Sequence, residues 1–468
     1  MSPADSSRPI DLENFLDNRK VGRFHALLLA LTGSVMFLDG LDTQAISFIA
    51  PVAAREWGLP LSALGPMFSS SILGLMIGYL LLSPLATRIG PRSLVLLSTT
   101  LFGLFTVISA FAVDEVQLVL LRLVTGIGLG GAIPSAVALA GEFAPRRRRS
   151  TFVMGIYCCY AFGFVVASLV SGPIIDGIGW HGMFVLCGSL PLVLVAVLAV
   201  LLPDSPRWLL REEETAVRGR QVLRRLAPDT DVSRIAVRTS TDVPDPQRPW
   251  SVLLDPIRHG WLSRTLLLWL AFMINLGVFY AAQSWLPTIA RQAGATAGTA
   301  ATATALMMVG GILAAGLIGP AMDRRGPFAV LAIVYLVSAV LLIGMGLSFS
   351  GPPVALLAAA FLAGTCVVGG QMSVIALATV LYPTTIRSTG VGWALGIGRI
   401  GGILAPLMVG WALGGGSPAL AVFATMGSAM LLAGVAVLLL ARSHRRVESD
   451  DSFRAGDPTR EIGSAEAA

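Results

Sequence analysis

Charged residues are scarce in this chain of 468 residues: aspartate, glutamate, lysine and arginine together make up 13% of it. Soluble globular domains carry about 25%. Hydrophobic residues make up 55%, and there are 51 glycines. This composition excludes an ordinary soluble enzyme and a disordered chain. It also excludes a nucleic-acid-binding protein with basic residues spread over a folded surface, although the net charge is +6.

Cysteine and histidine are rare as well, with four of each. The cysteines, Cys158, Cys159, Cys187 and Cys366, all lie in apolar stretches, so neither a disulfide framework nor a metal site is indicated. The histidines lie at the ends of apolar stretches or between them, and the Gly-x-Ser-x-Gly and His-Glu-x-x-His motifs are absent. We therefore expect no enzymatic activity, no metal and no cofactor.

The chain is instead rich in long apolar runs. About 20 apolar residues in a helix cross a bilayer core of about 30 Å. Twelve such stretches occur, with one long polar segment between the sixth and the seventh. The sequence thus predicts an all-α polytopic membrane protein with twelve transmembrane helices in two pseudo-symmetric halves of six. The predicted spans are residues 24–50, 61–84, 93–113, 116–140, 151–175, 182–202, 264–287, 299–320, 328–349, 353–381, 389–413 and 417–441.

Basic residues are unevenly distributed between the two sides of these spans. With a cytoplasmic N-terminus, 29 of the 33 lysines and arginines lie on the cytoplasmic side, two (Arg55 and Arg291) lie outside, and two (Arg122 and Arg399) lie within spans. Under the positive-inside rule we expect both termini to be cytoplasmic, in a plasma (inner) membrane protein surrounded by lipid. The chain then divides into a cytoplasmic N-terminal segment (1–23), a first half (24–203), a cytoplasmic central loop (204–263), a second half (264–441) and a cytoplasmic tail (442–468).

The two halves resemble each other at an offset of 236 to 238 residues. Residues 83–91 align with 319–327, and Pro51 aligns with Pro287, both at an offset of 236. Parallel repeats of this kind are typical of transporters, because a site between two similar halves can be exposed to either side when the halves rock.

Motifs in both halves resemble those of the major facilitator superfamily. Residues 83–92 resemble its signature Gly-x-x-x-Asp-Arg-x-Gly-Arg-Arg/Lys, although Thr87 replaces the aspartate and Pro91 replaces a basic residue. Arg122, with the glycines that follow it, resembles the motif of the fourth span. Asp39-Gly40-Leu41-Asp42 resembles the Asp-Gly-x-Asp motif of the aromatic acid:proton symporters, the benzoate, 4-hydroxybenzoate and phenylpropionate type, and residues 381–402 are similar to that family as well.

This resemblance implies a secondary transporter that takes up an aromatic carboxylate with protons by alternating access. Such a protein is driven by the proton gradient and needs no cofactor, and we expect it to work as a monomer that binds no nucleic acid. A proton-coupled exporter of drugs or other organic solutes is the alternative, because Gly172-Pro173 partly matches the antiporter motif of the fifth span. The resemblance also implies a cytoplasmic gate of charged latches, with the residues Arg88, Gly90, Asp323, Arg324 and Arg387.

Four charged residues lie inside the spans, where a charge costs at least about 2.5–3.5 kcal/mol and marks a functional candidate. Asp39 and Asp42 share one side of the first span, because three residues turn a helix by about 300°. Two close carboxylates are not readily ionised together, which suits binding and release of a proton. The helical rise places Arg122 at their level, so it can pair with either. With Glu142 at the end of the fourth span they form the predicted proton-coupling set; a fixed structural ion pair is the competing explanation.

Arg399 falls near the middle of the eleventh span by the same arithmetic. The second half has no acidic residue in a span to pair with it, and a guanidinium matches the two oxygens of a carboxylate. We predict that it binds the substrate; the alternative is a structural arginine bonded to helix carbonyls. The repeat aligns Asp39 with Asn275, a neutral residue that we also predict to bind the substrate. Further predicted binding residues, for each of which helix packing or an interfacial position is the competing explanation, are Tyr280, Gln283, Gln371 and Trp393.

Overall fold

In the computed structural model the chain forms a bundle of long helices. The described residues are 10–17, 21–210, 213–226, 235–236, 261–382 and 386–455. Eleven helices among them are long and apolar enough to cross a membrane. One of these, Arg149–Leu201, contains two spans, because Gly179 inside it has non-helical angles of φ 74° and ψ 172°. The predicted all-α membrane fold with twelve spans is confirmed.

The spans are numbered α1 to α12 in chain order. The parts of Arg149–Leu201 before and after Gly179 are α5 and α6. The other spans of the first half are α1 (Arg23–Glu56), α2 (Leu64–Leu81), α3 (Pro91–Ser109) and α4 (Glu115–Phe143). Those of the second half are α7 (Leu262–Gln292), α8 (Ala297–Arg325), α9 (Pro327–Ser348), α10 (Pro353–Leu381), α11 (Arg387–Gly414) and α12 (Ala419–Ala455).

The first span begins and the last span ends at the same end of the bundle, since the number of spans is even. We call this end the termini face and the opposite end the far face. A short helix, Leu12–Asp17, buries Leu12 and Phe15 against the termini-face end of the first half. Ile10–Asp11 pairs in parallel with Ile235–Ala236 of the central loop, a pairing of two residues on each side. The predicted N-terminal segment, central loop and tail lie in part outside the described residues.

The internal repeat is visible in the backbone at its sharpest turns. Six glycines in the described part of the chain have positive φ, a conformation that other residues adopt only at a cost. They form repeat-equivalent pairs: Gly58 with Gly294 and Gly90 with Gly326 at an offset of 236, and Gly179 with Gly416 at 237. The two halves therefore repeat both their spans and the turns between them.

Glycines also allow the closest helix contacts in each half. A methyl group at Gly126 of α4 would overlap the Ser71 carbonyl oxygen of α2, and one at Gly364 of α10 would overlap the Met307 carbonyl oxygen of α8. Gly126 and Gly364 are repeat equivalents at an offset of 238, and Ser71 and Met307 at an offset of 236. Without a hydrophobic driving force in lipid, close backbone approach at small residues is what holds such helices together.

Gly126→Ala is expected to destabilise the protein by about 1–3 kcal/mol, because the new methyl group must push α2 and α4 apart. The measurement is the midpoint of thermal unfolding of the purified protein in detergent. The matched control is Gly141→Ala in the same helix, where a methyl group would meet nothing within 4 Å. Equal midpoints for the two variants would contradict the close-packing role of Gly126.

Candidate functional site

Arg122 of α4 and Asp42 of α1 form a buried, two-pronged ion pair. Nη1 of Arg122 donates to Oδ1 of Asp42 at 3.0 Å, and Nη2 donates to Oδ2 at 2.7 Å. Nε donates to Ser71 of α2 at 3.1 Å, while Thr106 of α3 donates to Oδ1 of Asp42 at 3.1 Å. The two charged side chains are at most 1% exposed. This one cluster therefore ties together four helices of the first half.

Asp39 lies one turn away on α1 and does not share in the ion pair. Its Oδ1 accepts a hydrogen bond from Thr43 at 3.2 Å, and its Oδ2 has no hydrogen-bond partner among the described residues. The side chain is 1% exposed. The sequence allowed either aspartate as the partner of Arg122, and the structure shows that it is Asp42.

Arg399 of α11 reaches across to the first half. Its Nη2 donates to the hydroxyl of Tyr79 at 3.2 Å, and its guanidinium carbon lies 4.6 Å from the centre of the Tyr79 ring. Its Nη1 is buried and has no hydrogen-bond partner among the described residues. The guanidinium therefore retains an unused hydrogen-bond donor.

Four of the six tyrosines of the chain gather around this arginine. Tyr79, Tyr157 and Tyr160 all lie within electrostatic range of both Asp39 and Arg399. Tyr280, from the second half, adjoins Arg399 and Tyr160. Of the four, only Tyr280 was predicted from the sequence. Two features could have indicated the others: tyrosine is rare in this chain, and Tyr157 and Tyr160 are spaced to lie on one side of α5.

The two halves are joined on the side of this site that points to the far face. Ser69 of α2 donates to the carbonyl oxygen of Ile403 in α11 at 2.7 Å. Nε2 of Gln283 in α7 donates to Oε1 of Gln44 in α1 at 2.9 Å. Gln44 lies five residues beyond Asp39, which is about 7.5 Å along the helix axis. These two contacts, which we call the far-face closure, join the two halves between this site and the far face.

The Major Facilitator Superfamily model matches residues 32–296 and 268–465. The chain belongs to this superfamily. The 4-hydroxybenzoate transporter PcaK of Pseudomonas aeruginosa is 38% identical over 84% of this chain and 88% of its own length. The gallate transporter of Pseudomonas putida is 34% identical over 97% of this chain and 99% of its own length. The resemblance to the aromatic acid transporters is confirmed, and these relatives are named as transporters and not as enzymes.

A solved structure of the same superfamily shows the fold. The inward open conformation of the xylose transporter XylE from E. coli superposes with a TM-score of 0.68, covering 89% of this chain and 95% of its own. The two sequences are 20% identical. Together with the apolar helices, the superfamily match makes this chain a multi-pass membrane protein.

The other residues that the sequence predicts to bind substrate are spread along the second half. Gln283 binds Gln44 across the halves and so belongs to the far-face closure, rather than beside Arg399. Asn275 is fully buried, and neither atom of its amide has a partner among the described residues. Gln371 likewise has a buried amide oxygen without a partner there. Trp393 is 37% exposed, and its ring lies 5.6 Å from that of Trp269.

Glu142 is remote from the aspartates. It lies at the termini-face end of α4, twenty residues from Arg122, which corresponds to about 30 Å of helix. Its carboxylate accepts from the hydroxyl of Ser205 at 2.6 Å and from the backbone N–H of Arg207 at 2.8 Å. These bonds anchor the start of the central loop to the first half, where Ser205 caps the short helix Pro206–Leu209.

The residues of the predicted charge latches form no ion pair with one another among the described residues. Arg88, Asp323 and Arg324 are exposed and form no ion pair with another described residue. Arg387 donates from Nε to the carbonyl oxygen of its neighbour Tyr382 at 3.2 Å.

Gly90, the remaining predicted gate residue, instead receives an aromatic ring at the termini face. Its φ of 85° makes the turn between α2 and α3, and a methyl group there would lie 3.2 Å from the ring of Trp208. The indole N–H of Trp208 donates to the Thr87 carbonyl oxygen at 3.2 Å. Thr87 occupies the position where the superfamily motif has an aspartate, and there its backbone carbonyl accepts the hydrogen bond from Trp208.

Asp42→Asn is expected to destabilise the protein by about 3–5 kcal/mol, because it leaves the buried Arg122 charge without a counter-ion. The double variant Asp42→Asn/Arg122→Gln should recover part of this loss, since it removes the uncompensated charge. The matched control is Asp39→Asn, which breaks no ion pair. Thermal unfolding midpoints in detergent test all three, and a double variant no more stable than Asp42→Asn would contradict this account.

Proposed function

We propose that this protein is a secondary active transporter that takes up an aromatic carboxylate together with protons by alternating access. The observation that carries the proposal is the site formed by Arg399, four tyrosines and Asp39 between the two halves. The names of the relatives, transporters of 4-hydroxybenzoate and gallate, support the substrate class. The protein acts as a monomer without a cofactor, in the plasma (inner) membrane, with both termini in the cytoplasm.

The carboxylate of the substrate binds at Arg399. The free Nη1 and the Nη2 that now bonds Tyr79 form the planar fork that matches two carboxylate oxygens. The surrounding tyrosine rings offer apolar faces to an aromatic ring, and their hydroxyls offer donors to polar substituents. A site of this kind selects an anion that is flat and largely apolar.

Asp39 carries the proton, and the Asp42–Arg122 pair acts as a fixed support beside it. Asp39 lies within electrostatic range of Arg399. A bound carboxylate competes for the same arginine and brings a negative charge close to Asp39, which favours protonation of Asp39. Proton and substrate therefore strengthen each other's binding, and this linkage is reciprocal.

The closed far face defines one state of the transport cycle. The excess of basic residues at the termini face supports a cytoplasmic orientation for that face. In this state the site is shut off from the outside by the Gln44–Gln283 hydrogen bond and the Ser69–Ile403 contact. Rocking of the two halves breaks these contacts and exposes Arg399 to external substrate.

Asp39→Asn is expected to abolish uptake of a labelled aromatic acid driven by an inward-acid pH gradient, because the variant cannot bind the proton. Exchange of internal for external substrate should persist, since it needs no net proton movement. Both are measured in proteoliposomes, and retained exchange shows that the variant is folded. Uptake by the wild-type protein that ignores the gradient would contradict symport, and export of cationic dyes would favour the alternative exporter.

Tyr79→Phe is expected to raise the KM for uptake about tenfold or more, because the Tyr79 hydroxyl no longer donates a hydrogen bond to the bound carboxylate, and a hydrogen bond to a charged group is worth about 1.5–3 kcal/mol. Arg399→Gln should abolish uptake, and Arg399→Lys should retain only weak activity, since a lysine lacks the planar fork. The matched control is Tyr335→Phe, which removes a buried hydroxyl of α9, outside the cluster. A larger effect at Tyr335 than at Tyr79 would contradict the assignment of the site.

A further inference from the structure

A cavity lies at the far face, beyond the hydrogen bonds that join the two halves there. It has a volume of about 310 Å³ and is lined by the far-face ends of α1, α5, α7 and α8 and the start of α2. Small-molecule sites commonly measure about 300–1,000 Å³. The cavity is therefore large enough for a molecule with a single aromatic ring.

The two basic residues that the charge bias leaves outside, Arg55 and Arg291, both line this cavity. They are repeat equivalents at an offset of 236, and so are two further lining pairs, Pro51 with Pro287 and Val52 with Thr288. The cavity is thus built from corresponding turns of α1 and α7 and lies between the two halves. The positions that break the positive-inside pattern converge on one site.

The polar groups of the cavity have unused hydrogen-bonding capacity. Nε of Arg55 donates to the Pro51 carbonyl oxygen at 3.1 Å, and neither Arg55 nor Arg291 forms an ion pair with another described residue. The Thr288 side chain is only 6% exposed, and its hydroxyl has no hydrogen-bond partner among the described residues. Asp176 is the one acidic residue in the lining, so the lining carries a net positive charge.

The walls between these polar groups are apolar. Phe48, Leu64 and Ile175 line the cavity together with the two prolines. An apolar wall with a few convergent polar groups is the usual form of a site for an amphipathic small molecule. A carboxylate would meet the arginines and the Thr288 hydroxyl, while an aromatic ring would contact the apolar side chains.

The floor of this cavity is the closure that separates it from Arg399. Ser47 lines the cavity, and its hydroxyl accepts a hydrogen bond from Nε2 of Gln44 at 3.0 Å. Gln44 in turn accepts from Gln283 of the other half at 2.9 Å. Along α1, Arg55 lies sixteen residues from Asp39, which is about 24 Å. The two sites are thus distinct and lie one behind the other.

We propose that this far-face cavity is an outer binding site for the aromatic carboxylate, which captures the substrate before the Gln44–Gln283 closure opens. This inference rests on the proposed function, because it takes the same class of substrate. Arg55 and Arg291 attract and hold the carboxylate, Thr288 donates a hydrogen bond to it, and Asp176 opposes its binding. Opening of the closure then passes the substrate to Arg399.

The kinetic test uses Arg55→Gln, Arg291→Gln and Asp176→Asn. Each arginine variant is expected to raise the KM for benzoate uptake about three- to tenfold at low salt, with kcat unchanged, because one favourable charge interaction is lost. Asp176→Asn, which removes the opposing charge from the same cavity, is expected to lower the KM. A KM unchanged in both arginine variants, or raised in Asp176→Asn, would overturn the proposal.

Binding at the outer site is tested separately by cysteine labelling. Gln292 is exposed and lines the cavity. In Gln292→Cys, benzoate is expected to slow modification by a membrane-impermeant maleimide from the far side, whereas neutral benzamide and the small anion acetate should not. Labelling of the protein without this change gives the background from its four native cysteines.

Adding arginine substitutions to Gln292→Cys distinguishes binding at the outer site from binding at the central site. Protection of Gln292→Cys by benzoate should persist when Arg399→Gln is added and should disappear when Arg55→Gln and Arg291→Gln are added. Protection that is lost with Arg399→Gln would place binding at the central site only and overturn the outer site. Protection that persists while the wild-type protein shows no proton-coupled uptake would contradict the proposed function and leave the outer site standing.

Discussion

The cost of an unpaired charge in a medium without water is the constraint on which this structure depends. The chain meets it with the Asp42–Arg122 pair, in which both charges are satisfied by each other and by hydroxyl groups from two more helices. Removing either charged side chain leaves the other buried without a counter-ion, which is strongly destabilising. Four helices of the first half are therefore held in one arrangement. Asp39 and Arg399 take no part in this ion pair.

The repeat provides two similar halves, and the functional site uses the positions at which they differ. Asp39 corresponds to Asn275, so the first half has an ionisable group where the second half has a neutral one. Arg55 and Arg291, by contrast, are the same residue in both halves and line one cavity. The backbone is thus similar in the two halves, while a few of the polar side chains between them differ.

Much of the fold follows from local sequence. The length of an apolar run is set by the thickness of the bilayer, so the twelve spans could be predicted one at a time, including the break near Gly179. The partner of Arg122 could not, because Asp39 and Asp42 are one turn apart and helical rise does not specify the rotation of α1. Tyr79, Tyr157 and Tyr160 were not predicted, because a tyrosine in a span carries no charge and a single one is equally well explained by helix packing or an interfacial position. The contacts of the latch residues could not be predicted either, because a pair between helix ends depends on the distance between them in the folded protein.

The sequence by itself determined that the chain is a twelve-span membrane protein with two repeated halves, and which few charges lie inside it, since each of these is a property of a short stretch of residues. Only the tertiary structure decided which aspartate is held by Arg122, which tyrosines surround Arg399 and that the two outer arginines share a cavity. Those outcomes depend on the rotation and tilt of helices packed against one another, and such packing joins residues more than 200 positions apart, as in Gln44 with Gln283.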